Sequence, residues 1–475
     1  MQWLRGLSQT ALLLALFTPS TTALIHPRRA ELLDVALHDV ISEFQVPIYS
    51  TPEGIPALNH RFVRNVGSGI DGSSAPGPVF NQSISATGAL VYWIPVTVGG
   101  QEVRLVLDTG SSDSWVVADQ FTCLGIDMTI DVIGEVKVDH CGFGPGFNTT
   151  DSESFQIVNP HDTSFMVQYV DGSNARGYLG QDIFNVSGVV VSQVLGVVNE
   201  SFWSGDGVTS GILGLGYPGS IPSTPGHQPY DWTSDSPNVP DSPFDCHDTY
   251  PSFVQNLATY GYNPIFSIAL NTSSTLDSRW HNIAYLTDGG LLTLGGIPNL
   301  HGLSLPFAKA KMNPWLENNT CESNIEQIGY GIEIDGVVDG TFRFVDKKYR
   351  ARIDTGSNVI ILPTELATEM AKRMGSEQIG RPKTYMQPWS IPCDEAIPEF
   401  GFIIDDVVIS LKRENMLKKM NAPSSQMTKV FYCFMTFVTQ DFNDEIILGQ
   451  PFLREVLAVF DLEEKEIRFS KRFGD

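Results

Sequence analysis

The tetrapeptide Asp-Thr-Gly-Ser occurs twice in this chain of 475 residues, at Asp108–Ser111 and again at Asp354–Ser357. A given tripeptide arises by chance at about one in several thousand positions, so two copies sharing a fourth residue point to a duplicated unit. Each copy follows a short run that reads as a strand, Val103–Leu107 in the first half and Tyr349–Ile353 in the second. Each is followed, at similar spacing, by an apolar-apolar-Gly segment, Ile212-Leu213-Gly214 and Ile447-Leu448-Gly449. Two units at so long a period make a duplicated domain rather than a solenoid. Two copies of one turn on two copies of one scaffold predict a bilobed molecule with a shared site.

Each residue of the turn has a chemical use. Gly allows a tight turn and the close approach of another backbone. The Thr hydroxyl can donate or accept a hydrogen bond and so fix the turn, and the following Ser can orient the carboxylate. Asp108 and Asp354 are the acid–base groups. If the two turns face each other, their carboxyls cannot both ionise and hold one proton between them. One oxygen can then act as base toward a water while the other acts as acid toward a carbonyl.

Short apolar stretches separated by Gly, Pro, Ser, Asn and Asp dominate the chain, which predicts an all-β molecule. Asp and Glu outnumber Lys and Arg by 54 to 30, for a net charge of −24. That balance argues against nucleic acid and anionic membranes as partners; it suits work in acid and equally suits a soluble secreted surface. Residues 1–23 read as a secretory signal peptide, with Arg5 before the apolar run Ala11–Phe17 and small residues at Thr21-Thr22-Ala23. That run is too short to span a membrane, and the polar end Arg468–Asp475 carries no lipid-anchor signal. Asn81, Asn148, Asn185, Asn199, Asn271 and Asn318 each open an Asn-x-Ser/Thr sequon, the acceptor for glycosylation in a secreted chain. Within 24–80, Arg28–Phe44 has the apolar spacing of an amphipathic helix, followed by a Gly/Ser/Pro-rich linker. The six cysteines are expected to pair, with 15 possible connectivities. Cys123 and Cys141 bracket a loop soon after the first turn.

Other chemistries fit poorly. Gly214–Gly219 matches the dinucleotide fingerprint, but Pro218, Pro222 and Pro225 forbid the helix that it needs. No Gly-x-Ser-x-Gly or His-Glu-x-x-His is present. Ser220–Thr249 reads as a surface insertion, with a short helix near Ser252–Tyr260 after it.

From about Ala89 to Phe469 the chain resembles the pepsin-like aspartic proteases. The resemblance rests on Asp108–Trp115, Tyr169–Ser173, Gly211–Pro218, the second Asp-Thr-Gly-Ser, Ile446–Gly449 with Phe452, and Val459–Asp461. It implies a bilobal fold, with a first lobe over 85–270, a second over 275–475, and the cleft between them at a central sheet. It implies a zymogen whose propeptide lies in 24–80, and hydrolysis of polypeptides in acid by a water held between Asp108 and Asp354, with no metal or other cofactor. Tyr169, with Asp171 and Gly172, would form a flap over the substrate; the family more often has Gly where Val170 stands. Trp115 would support Tyr169, and Thr109, Ser111 and Thr355 would support the carboxylates. Val106, Ile212 and Trp203 would line the primary pocket, with Thr209 nearby smaller than the usual aromatic. Gly110, Gly356 and Ser357 would offer polar groups to an extended peptide. Cys393–Cys433 is the pair that the family usually has; with Cys123–Cys141 expected as a second pair, Cys246 and Cys321 remain, their pairing left open. The expected product is a monomer that is secreted, or held in a vacuole or cell wall. The alternative is a catalytically inactive, peptide-binding relative; a glycoside hydrolase also uses two carboxylates but needs no duplicated turns.

Overall fold

The computed structural model describes residues 64–65, 79–87, 91–127, 132–158, 164–169, 172–216, 250–271, 286–298, 307–313, 330–340, 342–343, 348–375, 377–378, 389–419, 432–440 and 445–472. The signal and most of the propeptide segment, Val170, Asp171, Asn318, Cys246, Cys321 and the 220–249 insertion lie outside them.

The molecule is built from β-strands in the bilobal arrangement. A 16-stranded sheet carries both the first lobe and the seam between lobes. At the seam its strands run in the order Ala308–Lys311, Glu466–Lys471, Val456–Asp461, Ile265–Leu270, Leu286–Leu294 and Val79–Thr87, mixing chain from both halves. The sequence reading starts the first lobe at residue 85, yet the strand begins at Val79. Its polar residues hide it from a hydrophobicity pattern. Asn81 and Gln82 are held by pairing with Thr293 and Leu292 across the ladder.

The duplication is structural as well as sequential. In the first half, strand Gln101–Asp108 runs parallel to Gly211–Gly214, which is also antiparallel to Trp115–Asp127. In the second, Tyr349–Ile353 runs parallel to Glu445–Leu448, which is antiparallel to Ile360–Pro363. The apolar-apolar-Gly segments are thus central strands beside the aspartate strands, and glycine is required where they cross. A Cβ on Gly214 would lie 2.5 Å from the Asp113 carbonyl oxygen, and one on Gly449 would lie 2.1 Å from that of Val359. The helix expected near 252–260 is Phe253–Thr259, begun by a capping box between Ser252 and Gln255.

Buried aromatic side chains weld the lobes. Phe266 stacks on Phe460 with ring centroids 4.5 Å apart, and Tyr330 packs on Phe460 at 4.7 Å. The Tyr330 hydroxyl donates to the Leu215 carbonyl at 2.7 Å, tying the second half to the strand behind the first turn. Arg454 donates to the Tyr92 hydroxyl at 2.8 Å, and Tyr92 donates to the Asn271 carbonyl at 2.9 Å. Disulfides join Cys123 to Cys141 and Cys393 to Cys433. Among the described residues no helix is long and apolar enough to cross a membrane.

Of the sequon asparagines, Asn185 and Asn199 are exposed, and Asn199 sits where the register slips on both sides of its strand. Asn81, Asn148 and Asn271 use their side-chain oxygens to accept from Thr293, Thr150 and Arg472.

Replacing Tyr330 by Phe keeps the ring packing and removes the donor to a buried carbonyl. Denaturant unfolding should show a loss of about 1–3 kcal/mol; an unchanged midpoint would mean that this bond does not hold the seam.

Candidate active site

The two Asp-Thr-Gly-Ser turns meet across the lobes. Thr109 and Thr355 are fully buried, and each reaches into the opposite half. Thr109 Oγ1 donates to the Ile353 carbonyl at 2.9 Å and accepts from the Thr355 N–H at 3.0 Å. Thr355 Oγ1 donates to the Leu107 carbonyl at 2.8 Å and accepts from the Thr109 N–H at 3.0 Å. The hydroxyls therefore fix not their own turn but the partner turn, and each carbonyl bonded is that of the residue before an aspartate.

This exchange brings the carboxyls together. A Cβ on Gly110 would lie 2.6 Å from Cγ of Asp354, and one on Gly356 would lie 2.6 Å from Oδ1 of Asp108. Each glycine leaves the space that the other turn's carboxylate occupies, and any larger residue would collide with it. The Gly110 and Gly356 N–H groups donate at 2.8 Å to Oδ1 of Asp108 and of Asp354. Those donors are engaged with the carboxylates, so what the glycines can offer a peptide is their carbonyls. The serines differ: Ser111 donates to Asp108 Oδ2, whereas Ser357 donates to the Val359 carbonyl at 2.9 Å.

Asp354 has its pKa raised to about 7. Burial is the main cause and the Asp108 charge beside it the second; the Gly356 N–H and Arg352 oppose the rise. The two carboxyls are close enough to hydrogen-bond each other. The shared proton belongs to the pair rather than to one residue, and burial with the neighbouring charge holds it up to about pH 7.

Tyr169 lies near this pair, in a hairpin closed by N–H donations from Tyr169 to the Ser173 carbonyl at 2.8 Å and from Gly172 to the Tyr169 carbonyl at 3.0 Å. Gly172 has φ +90°, a conformation that suits glycine. The Trp115 indole N–H donates to the Tyr169 hydroxyl at 2.8 Å, and that hydroxyl is also hydrogen-bonded to Ser111. Trp115, Tyr169, Ser111 and Asp108 thus form one connected chain. Burial, reinforced by the Asp108 charge, pushes the Tyr169 phenol well above its ordinary pKa, so it stays neutral.

The structure gathers the expected pocket residues into one apolar cluster. Trp115 and Ile212 are in its buried part, with Val106, Tyr169 and Trp203 packed against it. Thr209 is buried but donates to Asp206 Oδ1 at 2.8 Å, so its hydroxyl serves the loop. Sequence reasoning missed Phe143 and Tyr250, both packed on the same cluster. Phe143 stacks on Trp203 at 5.8 Å and meets Trp115 edge-on at 5.9 Å. Its signal was its place two residues after Cys141, in a loop fixed by a disulfide. Tyr250 donates to Asp113 Oδ1, a pairing with no sequence signal because a long insertion separates the two.

The raised Asp354 pKa has a consequence for stability. Below about 3.8, the ordinary value, the group is protonated whether the chain is folded or not. Between there and about 7 only the folded chain keeps the proton, so the stability linked to it fades as pH rises through that window. Asp354→Asn should flatten the fall in melting temperature between pH 4 and 7; an equally steep fall in the variant would place the proton elsewhere.

Comparison with known proteins agrees with this geometry. Residues 91–235 and 312–472 match the family model described as eukaryotic aspartyl protease. The chain is 27% identical to a probable aspartic-type endopeptidase of Aspergillus fumigatus, over 79% of this chain and 77% of that protein. It is 24% identical to the vacuolar aspartic protease of Candida albicans, over 79% and 74% of the two chains. It is 24% identical to rhizopuspepsin-3 of Rhizopus niveus, over 80% and 78%. With most of its length matched and both turns inside the matched segments, the chain belongs to the eukaryotic aspartyl protease family.

Proposed function

We propose that this protein is an endopeptidase that hydrolyses polypeptides at acidic pH, using a water activated between Asp108 and Asp354. The observation that carries the reading is the interlocked glycine–carboxylate contact, which sets the two acids within hydrogen-bonding reach of each other. The pair holds one proton, which the raised Asp354 pKa favours on Asp354, and Asp108 serves as base. As the water oxygen attacks the peptide carbonyl carbon, Asp108 takes a water proton and Asp354 gives its proton to the carbonyl oxygen. The result is a neutral diol. Asp108 then passes its proton to the departing nitrogen, the C–N bond breaks, and Asp354 recovers a proton from a diol hydroxyl as the new carboxyl forms. One water is consumed and the pair regains its single proton.

The remaining site residues position the substrate. Tyr169 closes over an extended peptide and limits water access, braced by Trp115. Val106, Ile212 and Trp203 hold an apolar side chain beside it. Two disulfides in the described residues fit an oxidising compartment. Together with the vacuolar relative, they support a route through the secretory pathway for a glycosylated zymogen.

Hydrolysis of an unfolded protein at pH 3–5, after any leader has been removed, tests the reading. Asp108→Asn and Asp354→Asn should each lower turnover by about a thousandfold or more while the far-ultraviolet spectrum stays unchanged. Near-normal turnover in either variant would remove that residue from the role. Wild-type activity should decline as pH rises toward 7, where the shared proton is lost. Trp115→Phe removes the donor to Tyr169 and should raise KM several-fold more than it lowers kcat, as read from initial rates; equal effects would argue against a bracing role.

A further inference from the structure

The internal duplication makes corresponding positions comparable, and one of them carries a change of chemistry beside the dyad. Val106 stands two residues before Asp108, and Arg352 stands two before Asp354. In each half that residue lies opposite an isoleucine of the crossing strand, Val106 opposite Ile212 and Arg352 opposite Ile447. Side chains two apart on a strand share a face, so each stands on the same side as its aspartate. Both are half-buried. Val106 packs at the edge of the Tyr169–Trp203 cluster. What is an apolar wall in the first half is a guanidinium in the second.

The charge is close enough to matter at the dyad, since Arg352 opposes the rise in the Asp354 pKa. The acidic residues on the adjoining strands, Glu445 and Glu333, stand opposite Arg350 in the two ladders. Glu445 lies 4.0 Å from Arg350, and Glu333 lies 2.5 Å from Lys348. A guanidinium has five N–H donors in a planar fork, so it can keep a neighbour and still grip a carboxylate.

Successive side chains of an extended peptide point to opposite sides. If the residue on one side of the scissile bond faces the Val106 wall, its neighbour across that bond faces the other half. We propose that Arg352 is a specificity-determining residue that selects an anionic side chain at the position across the scissile bond from the residue held by Val106. The proposal rests on the endopeptidase reading.

Peptides identical except at the two positions flanking the scissile bond separate the possibilities. Each position carries cysteic acid, norleucine or lysine in turn; cysteic acid stays ionised throughout the acid range. For the wild-type protein, kcat/KM should favour cysteic acid over lysine by about tenfold or more at one flanking position and not at the other. Arg352→Gln should bring that ratio near unity, Arg352→Glu should invert it, and Arg352→Lys should keep its direction. A variant that is merely misfolded loses rate on every peptide and cannot invert a preference. Cleavage of the norleucine peptides with no preference for cysteic acid, or a preference that survives Arg352→Gln and Arg352→Glu, overturns the proposal and leaves the endopeptidase reading standing. No cleavage of any peptide by the wild-type protein overturns both.

Discussion

The reciprocal hydrogen bonding of Thr109 and Thr355 is the constraint on which the site depends. Each hydroxyl is buried, so it must find partners within the protein, and the partners that it finds belong to the opposite turn. Neither turn can shift without breaking bonds in both. Two like-charged groups driven into contact would otherwise separate; here the backbone holds them, and the electrostatic cost appears as a retained proton. That proton is what the proposed hydrolysis uses. The seam strands and the Phe266–Phe460–Tyr330 stack then serve to keep the two lobes in register.

Much of this was legible in the sequence because the decisive features are local and repeated. A duplicated four-residue turn and a following apolar-apolar-Gly strand each have a physical reading without reference to distant residues, whereas the Tyr169 hairpin is read from its resemblance to the family. The fold class followed from short apolar runs and turn residues, and a short helix was expected near Ser252–Tyr260 after the insertion. What stayed hidden depended on three-dimensional closure. The strand Val79–Thr87 is too polar to announce itself, and its place is set by pairing with a segment some two hundred residues away. Tyr250 reaches Asp113 only after the chain has folded back across an insertion. Phe143 became part of the pocket because a disulfide fixes its loop.

Ser357 shows a different limit. By motif it is the equal of Ser111, and the same hydroxyl-to-carboxylate bond would be inferred for both. In the structure only Ser111 makes it, because Ser357 is satisfied by the Val359 carbonyl within its own loop. A repeated motif predicts a repeated backbone more securely than repeated side-chain partners, since a rotatable hydroxyl takes whichever acceptor its surroundings bring nearest.

The halves have diverged around a common plan. The Tyr169 hairpin belongs to the first half alone, the two serines are bonded differently, and valine beside one aspartate answers arginine beside the other. A groove with true twofold symmetry would receive a polymer threaded in either direction with equal ease. This one has a front and a back, so a ligand with its own directionality meets unlike surroundings at its two ends and settles in a single orientation.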